Sequence, residues 1–163
     1  MAVSRRNNGF VLITASIAIT VLLGFAALGV DVARMYVIKS ELQAFTDSAA
    51  LSAAMQIDDS AAGFDRARRA AESLATGPHA MKWDMGTKPI GAITASFARG
   101  GESPEVATWS TQPKEPTGYR FVRVVATAPA PLVFLRIFQS REASTVAASA
   151  MAVKTPDGVR LVE

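Results

Sequence analysis

From Asn7 to Val30 the chain carries no charge, and from Phe10 to Val30 it is apolar almost throughout, reading FVLITASIAITVLLGFAALGV. At about 1.5 Å of rise per residue this stretch makes roughly 31 Å of helix, close to the roughly 30 Å hydrocarbon thickness of a bilayer. The expectation is a transmembrane helix over 10–30. Two other readings stay open. One is a cleaved signal peptide, for which the apolar core is long and Ala27-Leu28-Gly29 a poor cleavage site. The other is a buried helix of a soluble domain.

No helix stop follows. From Asp31 to Gln56 there is neither Pro nor Gly. Apolar residues recur at Leu28, Val32, Met35, Ile38, Leu42, Phe45 and Ala49, mostly three or four apart, which draws one continuous stripe along a helix. The pattern predicts a single helix of more than forty residues. Its outer half needs cover, either from the C-terminal part of the chain or from neighbouring copies. A second helix is signalled by Asp59 and Ser60 as caps before AAGFDRARRAAESLATG, with Gly77 and Pro78 as its stop.

After Pro78 the period changes to two. Ile93, Ala95 and Phe97 alternate with Thr94 and Ser96; VATWS at 106–110 is a weaker strand between Pro104 and Pro113. YRFVRVVAT at 119–127 is the strongest, and TVAASAMAV at 145–153 is a fourth, lined with small residues. Between the last two, Pro131 is placed to start a short helix. Helices first and strands afterwards predict an α+β fold, a long helix and a shorter one with an antiparallel sheet of about four strands. The corresponding division is a basic leader at 1–9, the span at 10–30, an outer helical region at 31–77 and a small β-rich domain at 78–163.

Charge adds topology. Arg5 and Arg6 precede the span, whereas Asp31 and Arg34 after it cancel, so the positive-inside rule puts the N-terminus in the cytoplasm and the rest outside. Without those two arginines the chain holds 15 positive against 14 negative residues, which leaves no basic stripe for nucleic acid. The absence of Cys removes disulfides, thiol chemistry and Cys-type zinc sites, and a single His prevents a His-based metal centre. His79, with Trp83 and Asp84 nearby, lacks a nucleophile or oxyanion partner, so no enzyme, cofactor or small-molecule substrate is expected.

Several residues carry two readings each. Asp31 and Arg34, three apart, can pair as an anchor at the membrane boundary or set the register between neighbouring helices. Asp47, among small residues, is either solvated or an inter-subunit contact. Arg66, Arg68 and Arg69 read as a solvated face, with an acidic partner or anionic lipid as the alternative. Leu132 to Phe138 is core, or contacts the membrane or a partner.

RRNNG at 5–9, LLGFAALGVDVARMY at 22–36 and ELQAFTDSAALSAA at 41–54 together resemble the TadE/TadG-like proteins of the tight-adherence (Flp) pilus system. APAPLVFLRIF at 128–138, followed by a small-residue strand, is similar to the end of the short outer domains in that family. The resemblance implies a bitopic bacterial inner-membrane protein with a periplasmic domain, a minor pilin or pseudopilin-like component of Flp pilus assembly that works by helix packing. Its partners would be the bilayer and other pilus-assembly proteins or copies of itself. The assembly face would comprise Leu28, Asp31, Val32, Arg34, Met35, Leu42, Phe45 and Asp47. Gly9-Phe10 is similar to a prepilin leader junction, but Thr14 stands where processed pilins usually carry Glu, so a retained leader is expected. The metal-binding domain of the longer members is not expected here. The alternative function is a tethered periplasmic binding or sensor module with no pilus role.

Overall fold

α1 runs unbroken from Asn7 to Met55. The structure, a computed structural model, describes residues 7–101, 103–137 and 143–162. Inside the apolar half of α1 the polar side chains serve the helix itself. Thr14, Ser16 and Thr20 donate their hydroxyls to the carbonyls of Phe10, Leu12 and Ser16 at 2.9, 2.8 and 2.9 Å, which leaves no hydroxyl needing water. α2 spans Ala61–Ser73, and the Ser60 hydroxyl caps it by accepting from the Gly63 amide at 3.0 Å.

A small hairpin follows, β1 (Lys82–Trp83) with β2 (Lys88–Pro89). β3 (Ala92–Arg99), β4 (Tyr119–Pro131), β5 (Ala143–Thr155) and β6 (Gly158–Val162) then form an antiparallel meander in the order β3-β4-β5-β6. The fold is α+β, with a long apolar helix, a second short helix and antiparallel sheets of four and two strands. One face of the sheet is apolar by strict alternation. It carries Val122, Val124, Ala126, Ala128 and Ala130 from β4 and Val146, Ala148, Ala150 and Ala152 from β5. Alanines along β5 keep that surface low, so a helix can sit close.

The helix that does so is the outer half of α1. Ile38, Leu42, Phe45, Ala49, Ala50, Ala53 and Ala54 are fully buried against the sheet, with Phe64, Ala67 and Ala71 of α2 closing the core beside them. Phe64 tilts against Phe97 at 4.8 Å and meets Tyr119 edge-on at 5.1 Å. Outer helix and sheet thus share one core.

Local readings differ from the structure at four places. VATWS is not a strand. Only Ser110 bridges, exchanging backbone hydrogen bonds with Phe97 at 2.8 and 2.9 Å, because Pro104 and Pro113 confine the segment. Pro131 ends β4 rather than starting a helix. β3 begins at Ala92 opposite Thr127, so beyond that point β4 has no strand partner on that side among the described residues and tolerates Pro129 and Pro131. β6 and the β1–β2 hairpin were not foreseen. β6 folds back on β5 over Pro156-Asp157, with Gly158 at φ 143°.

Candidate assembly helix and its collar

Asp31 is the first charged residue after the apolar run, and it is only 2% exposed. Its carboxylate accepts three backbone amides from the β4–β5 connection: Val133 at 3.1 Å, Phe134 at 2.9 Å and Leu135 at 2.6 Å. It therefore caps the 3-10 turn Leu135–Ile137 from a helix about a hundred residues earlier in the chain. Burial on its own would raise this carboxyl group. The three amide donors, with a smaller contribution from the Arg34 charge, outweigh burial and hold it below the ordinary carboxylate range.

Arg34 points elsewhere. Its guanidinium takes both oxygens of Asp84, with Nη2 at 2.9 Å from Oδ1 and 2.8 Å from Oδ2 and Nε at 3.1 Å from Oδ1. Lys88 adds a weaker contact to the same carboxylate at 3.6 Å. The pair fixes a tight turn in which Asp84, Met85 and Gly86 all have left-handed φ, of 57°, 57° and 75°. Such a conformation costs a residue like Met about 1 kcal/mol or more and persists where its surroundings enforce it. The expected Asp31–Arg34 pair is thus corrected. Each residue reaches a separate segment of the folded domain, and together they form a collar around α1 where its apolar half ends.

The predicted assembly face is divided by the structure. Leu42 and Phe45 lie in the protein's own core and present nothing to a neighbour, which corrects their placement on an outward face. The cause is the sheet, whose apolar face reaches this part of α1. Met35 is half-buried and packs on the edge of the same core. Leu28 is half-buried and Val32 exposed. Asp47 accepts from Gln43 Nε2 at 2.8 Å and lines a groove of about 680 Å³ with Glu105, Trp109, Arg123 and Met151. In that groove the Arg123 guanidinium stacks on Trp109 at 4.4 Å, with its Nε buried and unpaired among the described residues. The groove was not foreseen, because its walls come from five separate stretches of sequence.

Gly9 and Phe10 sit exposed in the first turns of α1, and the Thr14 hydroxyl is bonded to the Phe10 carbonyl. Arg5 and Arg6 lie outside the described residues, as does Phe138. His79 is exposed, while the neighbouring Asp84 is held by Arg34 and Lys88. The arginine cluster of α2 is more engaged than a solvated face. Arg66 pairs with Asp58, and Arg68 pairs with Asp65 at 2.7 Å, donates to the Thr111 carbonyl and lies over the Phe97 ring at 5.5 Å, leaving Arg69 exposed.

α1 is long and apolar enough to cross a membrane, and its apolar stretch is uncovered by the rest of the chain. No curated protein and no solved structure matches the chain. Residues 9–56 match the family model Tad, described as "Putative Flp pilus-assembly TadE/G-like", so the family resemblance rests on α1 itself, from Gly9 to the first residue beyond its end.

Proposed function

We propose that this protein is a single-pass inner-membrane component of Flp pilus assembly, a minor pilin or pseudopilin-like subunit that works by helix packing and performs no catalysis. The first half of α1 spans the bilayer, the N-terminus is cytoplasmic and the sheet domain is periplasmic. One observation carries the reading: the segment that matches the TadE/G-like family model coincides with a helix whose apolar half is bare while its other half buries one face against the sheet. A bare apolar helix in water is unstable, so lipid or other helices must surround it. The face left for partners is Val32, Tyr36 and Val37 beyond the membrane, together with the span itself.

A reporter fused after residue 163 should be active only outside the cytoplasm. A photo-crosslinking residue at Tyr36, which is 74% exposed, should give adducts with pilus-assembly proteins or a second copy, and deletion of the gene should reduce piliation. Wild-type pili after deletion, with no adducts at Tyr36, would favour the second reading. That reading, a tethered binding module, draws on the groove at Asp47, Glu105, Trp109 and Arg123.

A further inference from the structure

The segment between β4 and β5 has an unusual surface. From Ala128, near the end of β4, to Ile137 the chain carries one charge, Arg136. Leu132 is buried, Phe134 and Leu135 are half-buried, and Val133 stands 51% exposed at the tip. In water Val133 would stand as an exposed apolar side chain outside the core, flanked by the half-buried Phe134 and Leu135.

Its position along α1 explains it. Asp31 ties the backbone of residues 133–135 to the helix one residue after the uncharged run ends. The 3-10 turn lies directly against α1. The turn therefore sits beside α1 at the level of Asp31, where the apolar stretch ends. A bilayer that takes residues 10–30 into its hydrocarbon has its outer surface at this level.

We propose that the tip formed by Val133–Arg136 is a second membrane contact, with Val133 and the uncovered parts of Phe134 and Leu135 entering the outer lipid interface beside α1. The inference rests on the membrane-span reading above. It gives the bare tip an apolar surrounding and leaves Arg136, at its edge, at the depth of the headgroups, where a long cationic side chain is favoured. It also gives Asp31 a task. A carboxylate bonded to three amides holds in place a turn whose backbone would otherwise have unpaired donors near hydrocarbon. Arg34, about one turn farther out, clamps the β1–β2 hairpin to the same helix, so the domain is fixed to the bilayer at two points and does not swing on α1.

The chain contains no Cys, which permits single-site labelling of the full-length protein. Leu22→Cys, Val133→Cys and Val106→Cys would each carry an environment-sensitive fluorophore, in vesicles of phosphatidylethanolamine and phosphatidylglycerol with or without acyl-chain quenchers. All three positions are exposed, so labelling leaves the core intact. Val106 is the distal control, because the adjoining Glu105 shares a groove with Asp47, about 24 Å beyond Asp31 along the helix. The expected result is deep quenching at Leu22, quenching at Val133 by shallow quenchers with a blue-shifted emission, and neither effect at Val106. Quenching at Leu22 with none at Val133 would overturn the second contact and leave the span standing. No quenching at Leu22 would remove the span and this inference with it.

Discussion

Phe25 and Phe45 lie on one uninterrupted helix, yet the first is 69% exposed and the second completely buried. The contrast extends to their surroundings. Ile17, Leu22 and Phe25 are exposed, whereas Ile38, Leu42 and Phe45 are buried in the core shared with the sheet. Asp31 and Arg34 mark the change, each tying the helix to the domain. A similar apolar character therefore serves two solvents. In the outer half the buried face of the helix is matched by apolar residues of the folded domain; the inner half has no such match among the described residues. Burial within the molecule thus distinguishes what folds the domain from what places it.

The largest effect is expected from attacking the inner half. Arg at both Ile17 and Leu22 would cost about 2.5 to 3.5 kcal/mol per residue for insertion near the middle of a bilayer, or about 5 to 7 kcal/mol for the pair. The double variant should leave the alkali-resistant membrane fraction or be degraded. Wild-type retention would mean that other helices, rather than lipid, cover this half.

Next comes the matched phenylalanine pair. Phe45→Ala opens a cavity between α1 and the sheet and should cost about 3 to 5 kcal/mol, a large share of the roughly 5 to 15 kcal/mol that stabilises a domain. The protein should remain in the membrane while its sheet becomes sensitive to protease. Phe25→Ala should leave protease resistance unchanged. Equal sensitivity in the two variants would erase the distinction between the halves.

Much of this division was legible in sequence. The absence of Pro and Gly from 31 to 56 gave the single helix, and the caps at 59–60 gave α2. Period-two alternation gave β3, β4 and β5, since each has one face on the core. What escaped were elements too short to show a pattern and contacts set by partners distant in sequence. Strands β1 and β2 are too short to show a period. β6 is only five residues long, although Thr155-Pro156-Asp157-Gly158 is a turn signal that could have revealed it. The stripe through Leu42 and Phe45 has the same spacing whether a sheet or a neighbour covers it, so only the fold could assign it. Asp31 and Arg34 looked like a local pair because helical spacing allows one. Partners 50 and 102–104 residues away outcompete it.

Asp31→Asn probes the boundary between the halves. Asn keeps one acceptor oxygen, loses the charge and turns an NH2 group toward the same amides, so about 1.5 to 3 kcal/mol of the docking should disappear. Hydrogen exchange at the amides of Val133, Phe134 and Leu135 should rise while the core amides of β4 stay protected. The wild-type contact also has a pH signature. Because the folded carboxyl group lies below its ordinary value near about 3.9, its contribution is present above that pH and is lost only as the pH falls through the folded value. Protection of these three amides, corrected for the intrinsic pH dependence of exchange, should thus stay constant between about pH 5 and 8 and fall only in stronger acid.

The smallest effect is expected at Arg34. The Arg34–Asp84 pair is partly exposed, with side-chain exposures of 29% and 7%, so solvent screening limits what it contributes. Arg34→Lys keeps the positive charge but loses the fork that takes both carboxylate oxygens, while Lys88 remains close to Asp84. A loss of about 0.5 to 1 kcal/mol is expected. In a chain of this size that is a fall in melting temperature of about 1 to 4 °C. The strained turn at Asp84 and Met85 should loosen first, which hydrogen exchange at the Thr87 amide, bonded to the Trp83 carbonyl at 3.1 Å, would report. If Arg34→Lys destabilised the domain more than Asp31→Asn, the hairpin clamp would be the stronger half of the collar. The division of α1 would then be set about one turn farther from the apolar stretch than Asp31 places it.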